Sequence, residues 1–300
     1  MITKQLILGL SVWLLLSACH ENGKSKISQN ETFTSELPMP EIPDSIVDRN
    51  AKLVYVVNHF WDKLDFRDTV LTLNDEFMEQ NFANYILILE ALESENDRLA
   101  AVEGLLEKAS VTIPSFNKIK DISGLYLADP NSPMKNDELR IAFLHSFLTH
   151  PERLGREEEK IRMGYELEMR SKNRVGTRAS DFSYVDLANR HRTLYTTPTG
   201  SEGMIVVFYD SDCDHCANLF ENLQANEGLS KALEEKRLVL LAIDVKEDKE
   251  LWRRKAITLP TNWIKGFNTD NIEGNDVYWF PALPSIYHLY AGSYEVLNKN

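Results

Sequence analysis

One stretch of the sequence decides the fold of this chain: Met204-Ile205-Val206-Val207-Phe208-Tyr209-Asp210-Ser211-Asp212-Cys213-Asp214-His215-Cys216. Its first six residues form an uninterrupted apolar run, which is typical of a strand buried on both faces. The polar residues that follow indicate a turn, and Asp212 is predicted to cap a helix that begins at Cys213. Beyond the cap, apolar residues recur at helical spacing. The sequence therefore predicts two cysteines in C-x-x-C spacing on the first turn of a helix that follows a central strand.

The start of a helix is a favourable place for a reactive cysteine. Free backbone N–H groups and the helix dipole stabilise an anion there by up to ~2 kcal/mol, and the anion form of cysteine is the nucleophile that attacks disulfides. His215 can add positive charge or a hydrogen bond, whereas Asp210, Asp212 and Asp214 oppose a nearby anion. We expect a net stabilisation of the Cys213 thiolate.

These residues resemble the active site of thioredoxin-like thiol–disulfide oxidoreductases, particularly the membrane-tethered, extracytoplasmic branch. The resemblance extends upstream to Gly176 and Ala179-Ser180-Asp181-Phe182, and downstream to Ala282-Leu283-Pro284-Ser285, which resembles the cis-proline loop. It implies that Cys213 attacks, that Cys216 resolves, and that Leu283 and Pro284 face the pair. His215 and Asp214 would support the chemistry. The resemblance implies no cofactor and no metal, because the redox-active group is the Cys213–Cys216 disulfide itself.

Three departures from the family pattern stand out. Thioredoxins carry a buried acid in the strand before the active site, and Val207 occupies the nearest matching place. Asp212 stands where a Trp usually precedes the first cysteine. The family's last helix has no counterpart after the final hairpin, so one face of the sheet is expected to be thinly covered unless the helical domain packs there.

The overall composition excludes some classes of function. The chain has 300 residues, 43% of them hydrophobic, and a net charge of −13, which suits two domains with real cores. Nucleic-acid binding needs a concentrated basic surface, so this partner class is excluded. Three cysteines are too few for a secreted disulfide scaffold.

The N-terminus indicates export. Lys4 precedes the apolar run 6–16, and Leu16-Ser17-Ala18-Cys19 resembles a bacterial lipobox. We expect residues 1–18 to be a lipoprotein signal peptide, Cys19 to carry lipid, and residues 19–43 to form a flexible tether. Ordinary cleavage that leaves a free Cys19 is the alternative. The predicted location is the bacterial cell envelope, lipid-anchored and facing the periplasm, with the membrane leaflet left open.

Residues 44–172 are predicted to form an all-α helical domain, because apolar residues recur there at helical spacing. The region resembles an uncharacterised helical family found ahead of thioredoxin-like domains, and Leu127–Met134 is its most recognisable segment. No activity follows from this resemblance. Our hypothesis is that the domain selects or positions a partner.

Residues 173–300 are predicted to form a thioredoxin-like α/β domain, three-layered around a central mixed sheet, so that the whole chain is an α+β two-domain protein. Besides the strand at 204–209, we expect strands at 238–243 and 285–290, a closing hairpin strand at 294–297 and an edge strand at 192–197.

The predicted function is thiol–disulfide exchange on a disulfide- or dithiol-containing envelope protein. A c-type haem site would need His where Ala217 stands, and a zinc site would need two further ligands at regular spacing. A peroxidatic cysteine would need Pro and Thr upstream, and an inert structural disulfide is uncommon at a helix start. A non-catalytic lipoprotein that binds a partner through its helical domain is the alternative. The direction of electron flow and the oligomeric state are left open by the sequence.

Overall fold

A computed structural model of the chain describes residues 36–299, and these residues belong to one compact unit. The first part of this unit is helical. Within the described residues it contains seven α-helices: α1 (Arg49–His59), α2 (Thr69–Thr72), α3 (Asp75–Glu90), α4 (Glu95–Ala109), α5 (Ile113–Ala128), α6 (Asp137–Leu148) and α7 (Glu157–Arg170). The prediction of an all-α region ahead of the sheet is confirmed.

Helix α6 lies at the centre of the helical part. Most of its side chains are buried, and it packs against α4, α5 and α7. Its start is fixed by Asn136, whose side-chain oxygen accepts the Leu139 N–H at 3.0 Å. The surrounding core is rich in aromatic rings, including Trp61, Tyr85 and Phe143. Burial of rings of this size provides much of the free energy that holds the helices together.

The second part of the unit is built on one seven-stranded mixed sheet. Its strands are β1 (Ser183–Asp186), β2 (His191–Thr193), β3 (Gly203–Tyr209), β4 (Leu238–Asp244), β5 (Ile264–Asn268), β6 (Ser285–Tyr290) and β7 (Val296–Lys299). The spatial order is β2-β1-β5-β4-β3-β6-β7, with β3 and β5 parallel to β4 and the remaining neighbours antiparallel. The predicted strand at 204–209 therefore lies inside the sheet, as its unbroken apolar run requires.

Three helices of this part, α8 (Asp214–Ala225), α9 (Glu227–Glu234) and α10 (Lys249–Ala256), pack on one face of the sheet, where Phe220, Leu233 and Trp252 are buried. The opposite face is covered by the irregular segment 271–283, which buries Tyr278 against Phe208 with ring centroids 4.8 Å apart. The face opposite the three helices, where a thin covering was expected, is thus covered largely by this segment.

The helical part contacts the outer side of segment 271–283. Tyr165 Oη donates a 2.8 Å hydrogen bond to Asp276 Oδ1, and Lys172 Nζ donates a 2.9 Å bond to the Asp276 carbonyl oxygen. The Arg170 guanidinium lies 5.4 Å from the centroid of the Trp279 ring, within the range of a cation–π contact. The two parts of the chain are therefore joined by specific side-chain contacts.

Some predicted strand boundaries were wrong, for identifiable reasons. The expected edge strand at 192–197 ends at Thr193, because Thr193 and Thr196 form a capping box that starts a 3-10 helix at Leu194–Thr196. Strand β5 was not predicted, since Lys265 and Gly266 interrupt its apolar pattern. A side chain at position 266 would meet the Tyr184 ring at 2.4 Å, so glycine is required there by packing.

Candidate active site

The dithiol lies at the start of α8, and Cys213 is itself the N-cap residue. Its Sγ accepts the Cys216 N–H at 3.2 Å. The prediction that Asp212 caps a helix beginning at Cys213 is therefore wrong. The Asp212 N–H instead donates a 2.7 Å bond to Asp210 Oδ1 within the turn. Because the sulfur occupies the capping position, an anion on Cys213 would accept a hydrogen bond from the helix N-terminus.

The two sulfurs differ in exposure. Both cysteines are free thiols, and Cys213 is partly exposed whereas Cys216 is 1% exposed. Burial raises the pKa of Cys216 to about 12; the neighbouring Cys213 and the Asp210 carboxylate also raise it, while the Asp210 backbone N–H acts in the opposite direction. Cys216 is consequently a neutral, shielded thiol near pH 7, and Cys213 is the sulfur that a partner can reach.

The proline loop lies opposite Cys213. The Leu283–Pro284 peptide is cis, as the resemblance implied, and the Leu283 carbonyl oxygen lies 4.0 Å from Cys213 Sγ. The sheet register explains this proximity, because Ser285 begins β6 directly opposite Phe208 near the end of β3. The turn that leaves β3 and the loop that enters β6 therefore meet at the same end of the sheet.

A buried carboxylate holds the active-site turn from the neighbouring strand. Asp244 ends β4 beside Tyr209, and its carboxylate accepts hydrogen bonds from the Ser211 N–H at 3.0 Å, the Lys246 N–H at 2.9 Å and the Ser211 hydroxyl. Burial raises the pKa of Asp244, although these hydrogen bonds act to lower it. Asp244 was not predicted from the sequence as a site residue. An acid at the carboxyl end of a buried strand was the available signal.

The surroundings of Cys216 within the protein are apolar. Val207 and Tyr209 of β3 and Phe220 of α8 belong to the same buried cluster as Cys216. The Tyr209 and Phe220 rings meet edge to face, with centroids 4.8 Å apart. The position where thioredoxins carry an acid is thus occupied by a buried aliphatic side chain, and the nearby acids belong to the turn and to β4.

The remaining predicted site residues lie around the dithiol. Asp214 is exposed at the first position of α8. His215 is also exposed and lines a cleft of about 710 Å³ together with Leu283 and Pro284. The other side of this cleft is formed by Pro130, Lys135 and Glu138 of the helical part. The segment Leu127–Met134, recognisable in the sequence, was not predicted to lie at the site.

Cys19 lies outside the described residues. Among the helices at 36–299, none has the length and apolar character needed to cross a bilayer. In the same range, no group of three or more His, Cys, Asp or Glu side chains is arranged to hold a metal ion.

This geometry defines the class of the C-terminal part. A C-x-x-C dithiol at a helix start after a central strand, opposite a cis-proline loop, on a mixed sheet, is the arrangement of a thioredoxin-like domain. Among solved structures that resemble the chain, a thioredoxin-like protein from Bacteroides caccae ATCC 43185 has a TM-score of 0.78 and 29% sequence identity, and the match covers 87% of this chain and 93% of that one. The match spans both parts, so the α+β two-domain fold is confirmed.

The chain belongs to the family described as Domain of unknown function (DUF5106), whose model matches residues 18–173. Two further structures resemble a part of the chain. The C-terminal domain of an uncharacterized protein from Bacteroides fragilis NCTC 9343 is 28% identical over 43% of this chain and 91% of that one, with a TM-score of 0.41. A thiol-disulfide oxidoreductase from the same strain is 15% identical over 41% of this chain and 89% of that one, with a TM-score of 0.35. No curated protein matches the sequence.

Proposed function

We propose that the protein catalyses thiol–disulfide exchange on protein substrates. One observation carries the proposal: the partly exposed Cys213 Sγ accepts the Cys216 N–H at 3.2 Å at the start of α8 and lies 4.0 Å from the Leu283 carbonyl oxygen. In this arrangement a thiolate on the accessible sulfur accepts a hydrogen bond from the first turn of the helix. The second sulfur, that of Cys216, is 1% exposed and is shielded from direct attack by a partner.

In the reducing direction, the Cys213 thiolate attacks one sulfur of a substrate disulfide. A mixed disulfide forms, the substrate S–S bond breaks, and the departing substrate thiolate takes up a proton from water. Cys216 then loses its proton to water and attacks Cys213 Sγ, which breaks the mixed disulfide and releases the second substrate sulfur as a thiolate that takes up a proton from water. The substrate gains two electrons and two protons overall, and the protein dithiol becomes a Cys213–Cys216 disulfide. A dithiol reductant reverses that change, and an oxidising partner would drive the same steps backwards.

His215 and Asp214 act on Cys213 through charge in this proposal. Both are exposed beside the dithiol, so protonated His215 favours the thiolate and Asp214 disfavours it. Pro284 shields the pair from the side opposite α8. The proposed mechanism needs no bound cofactor or metal.

We also propose that the protein acts outside the cytoplasm, held at a membrane by lipid on Cys19, where its partners are disulfide- or dithiol-containing envelope proteins. The Leu16-Ser17-Ala18-Cys19 sequence supports this location. Metabolic labelling with a radioactive fatty acid tests it. Label is expected on the wild-type chain and absent from Cys19→Ser, and an unlabelled wild-type chain would exclude the anchor.

Reduction of insulin by dithiothreitol, followed by turbidity, tests the exchange activity. The wild-type protein is expected to accelerate precipitation, and Cys213→Ser is expected to abolish the acceleration. Cys216→Ala should instead accumulate mixed disulfides, which mass spectrometry of envelope proteins trapped on it would identify. The proposal is wrong if the wild type does not accelerate insulin reduction and the Cys216→Ala variant traps no protein. The alternative of a non-catalytic binding protein then takes its place.

A further inference from the structure

We propose that the cleft beside the dithiol binds the polypeptide segment carrying the substrate disulfide, and that Lys135 of the helical part selects segments with a carboxylate next to the reactive cysteine. This inference rests on the proposed exchange activity. It gives the helical part a defined role, which is to supply one wall of the substrate site.

The cleft is built from both parts of the chain. His215 of the active-site helix and the loop 281–284 form one wall, and residues 130–138, between α5 and the first turn of α6, form the other. Its volume of about 710 Å³ lies within the ~300–1,000 Å³ of ordinary ligand pockets. Cys213 does not itself line the cleft, but Leu283 does, and its carbonyl oxygen is 4.0 Å from Cys213 Sγ. A chain lying in the cleft therefore passes beside the reactive sulfur.

The acids of the helical wall are already neutralised by partners within the protein. Asp137 pairs with the Arg170 guanidinium and lies 3.4 Å from Lys299 Nζ. Glu138 pairs with Arg174, whose Nε lies 3.1 Å from Glu138 Oε2. These two carboxylates therefore contribute little negative charge to a bound segment.

Three hydrogen-bond donors that line the cleft have no such partners. The side chains of Lys135, His215 and Asn298 make no hydrogen bond or ion pair with any other described residue, and Lys135 is the lysine among them. The acids of the active-site turn, Asp210 to Asp214, do not line the cleft. A carboxylate is the group that complements such donors, because charge-assisted hydrogen bonds are the stronger ones.

The wall that presents Lys135 is held in place before any substrate arrives. Ser132 Oγ donates a 2.6 Å hydrogen bond to the Tyr126 carbonyl oxygen, and the Asn131 N–H donates a 2.8 Å bond to Asp129 Oδ1. Asn136 Nδ2 bonds Glu90 Oε1 at 3.1 Å. A preorganised turn of this kind lowers the entropic cost of binding a segment.

Two fluorogenic disulfide peptides that differ only in Asp or Asn beside the reactive cysteine test the inference, with dithiothreitol as reductant in low salt. The wild type is expected to favour the Asp peptide in kcat/KM by about threefold, the size of an exposed charge pair. Lys135→Glu should reverse the preference, and 0.5 M NaCl should remove it in the wild type. Lys63→Glu is the matched control. Lys63 is an exposed lysine of the helical part that lines no part of the cleft, so the wild-type preference should persist in this variant.

The outcomes separate the two proposals. If the wild type reduces neither peptide nor insulin, the exchange activity itself is wrong. If it reduces both peptides at rates whose ratio is the same in wild type, Lys135→Glu and Lys63→Glu, the activity stands and the role of Lys135 is overturned. Circular dichroism of each variant identifies any unfolded protein, in which case Lys135→Met, which removes the charge with less change in shape, replaces Lys135→Glu.

Discussion

The Lys299 ammonium of β7 lies 3.4 Å from the Asp137 carboxylate of α6, and this ion pair ties the last strand of the sheet to the central helix of the helical part. The pair belongs to a longer series of charges. Arg140 and Arg170 both bond the Glu166 carboxylate, and Arg170 also pairs with Asp137. Burial acts to raise the pKa of Glu166, but these two guanidinium groups hold it below its ordinary value.

Asp137→Ala should destabilise the protein by about 2 kcal/mol in urea unfolding, because it leaves the Lys299 ammonium without its carboxylate and leaves the buried Arg170 paired with Glu166 alone. We expect less than the full penalty for a deeply buried pair, since the Asp137 side chain is 20% exposed. Asp75→Ala is the control, because the Asp75 side chain that pairs with Lys118 is 82% exposed and its loss should change stability little. Equal stability of the two variants would show that the charge series does not join the two parts.

Alkylation should distinguish the two thiols of the native, reduced protein. Iodoacetamide at pH 7 is expected to modify Cys213 and to leave Cys216 unmodified, because Cys216 is 1% exposed and burial raises its pKa to about 12. Peptide mapping by mass spectrometry gives the readout. Cys213→Ser should take no label at the dithiol until urea is added. Modification of Cys216 at the rate of Cys213 in the native protein would contradict the burial seen here.

The free energy of unfolding at alkaline pH should depend on the ionisation of Cys216. Its folded pKa of about 12 lies above the ordinary 9.0, so the unfolded chain releases this proton first and stability falls as pH rises above about 9. The loss approaches ~1.4 kcal/mol per pH unit for one group. Cys216→Ala should show a shallower decline between pH 9 and 11 in urea unfolding, whatever its stability at pH 7. Identical slopes for the two proteins would count against a buried, protonated Cys216.

Asp244→Ala should destabilise the protein by about 2 kcal/mol, because it removes the acceptor for two Ser211 bonds and one Lys246 bond. It should also slow insulin reduction, since the turn that carries Cys213 loses its attachment to β4. Asp244→Asn retains an acceptor and should lose less stability.

The same residue gives a pH test. Burial raises the pKa of Asp244 in the folded protein, so the unfolded chain ionises first. The wild-type stability relative to Asp244→Asn should therefore fall as pH rises from about 4, and level off above the folded pKa. A stability difference that is constant across this range would contradict the raised pKa.

The parts of the site that local patterns define could be predicted from sequence. The apolar run of β3 and the C-x-x-C spacing are adjacent in the sequence. The proline of Leu283–Pro284 lies further along the chain, but it strongly constrains the backbone. The residues that were missed depend on neighbours distant in the chain. Asp244 acquires its role because β4 lies beside β3, and Gly266 is explained by a Tyr184 ring from another strand. The helical wall of the cleft could not be predicted for the same reason, since no local pattern connects Lys135 to Cys213, 78 positions later.

The network of ion pairs that links Arg140, Glu166, Arg170, Asp137 and Lys299 determines which fragments of this protein keep its native surface. A truncated version that starts after residue 173 would keep Lys299 and lose both Asp137 and Arg170, which flank Lys299 and Tyr287. The Lys299 ammonium group and the Tyr287 ring, which the intact chain covers, would then be more open to water, and Lys299 also lines the cleft. Measurements on such a fragment would describe a different surface, and the redox chemistry is best studied with the helical part attached.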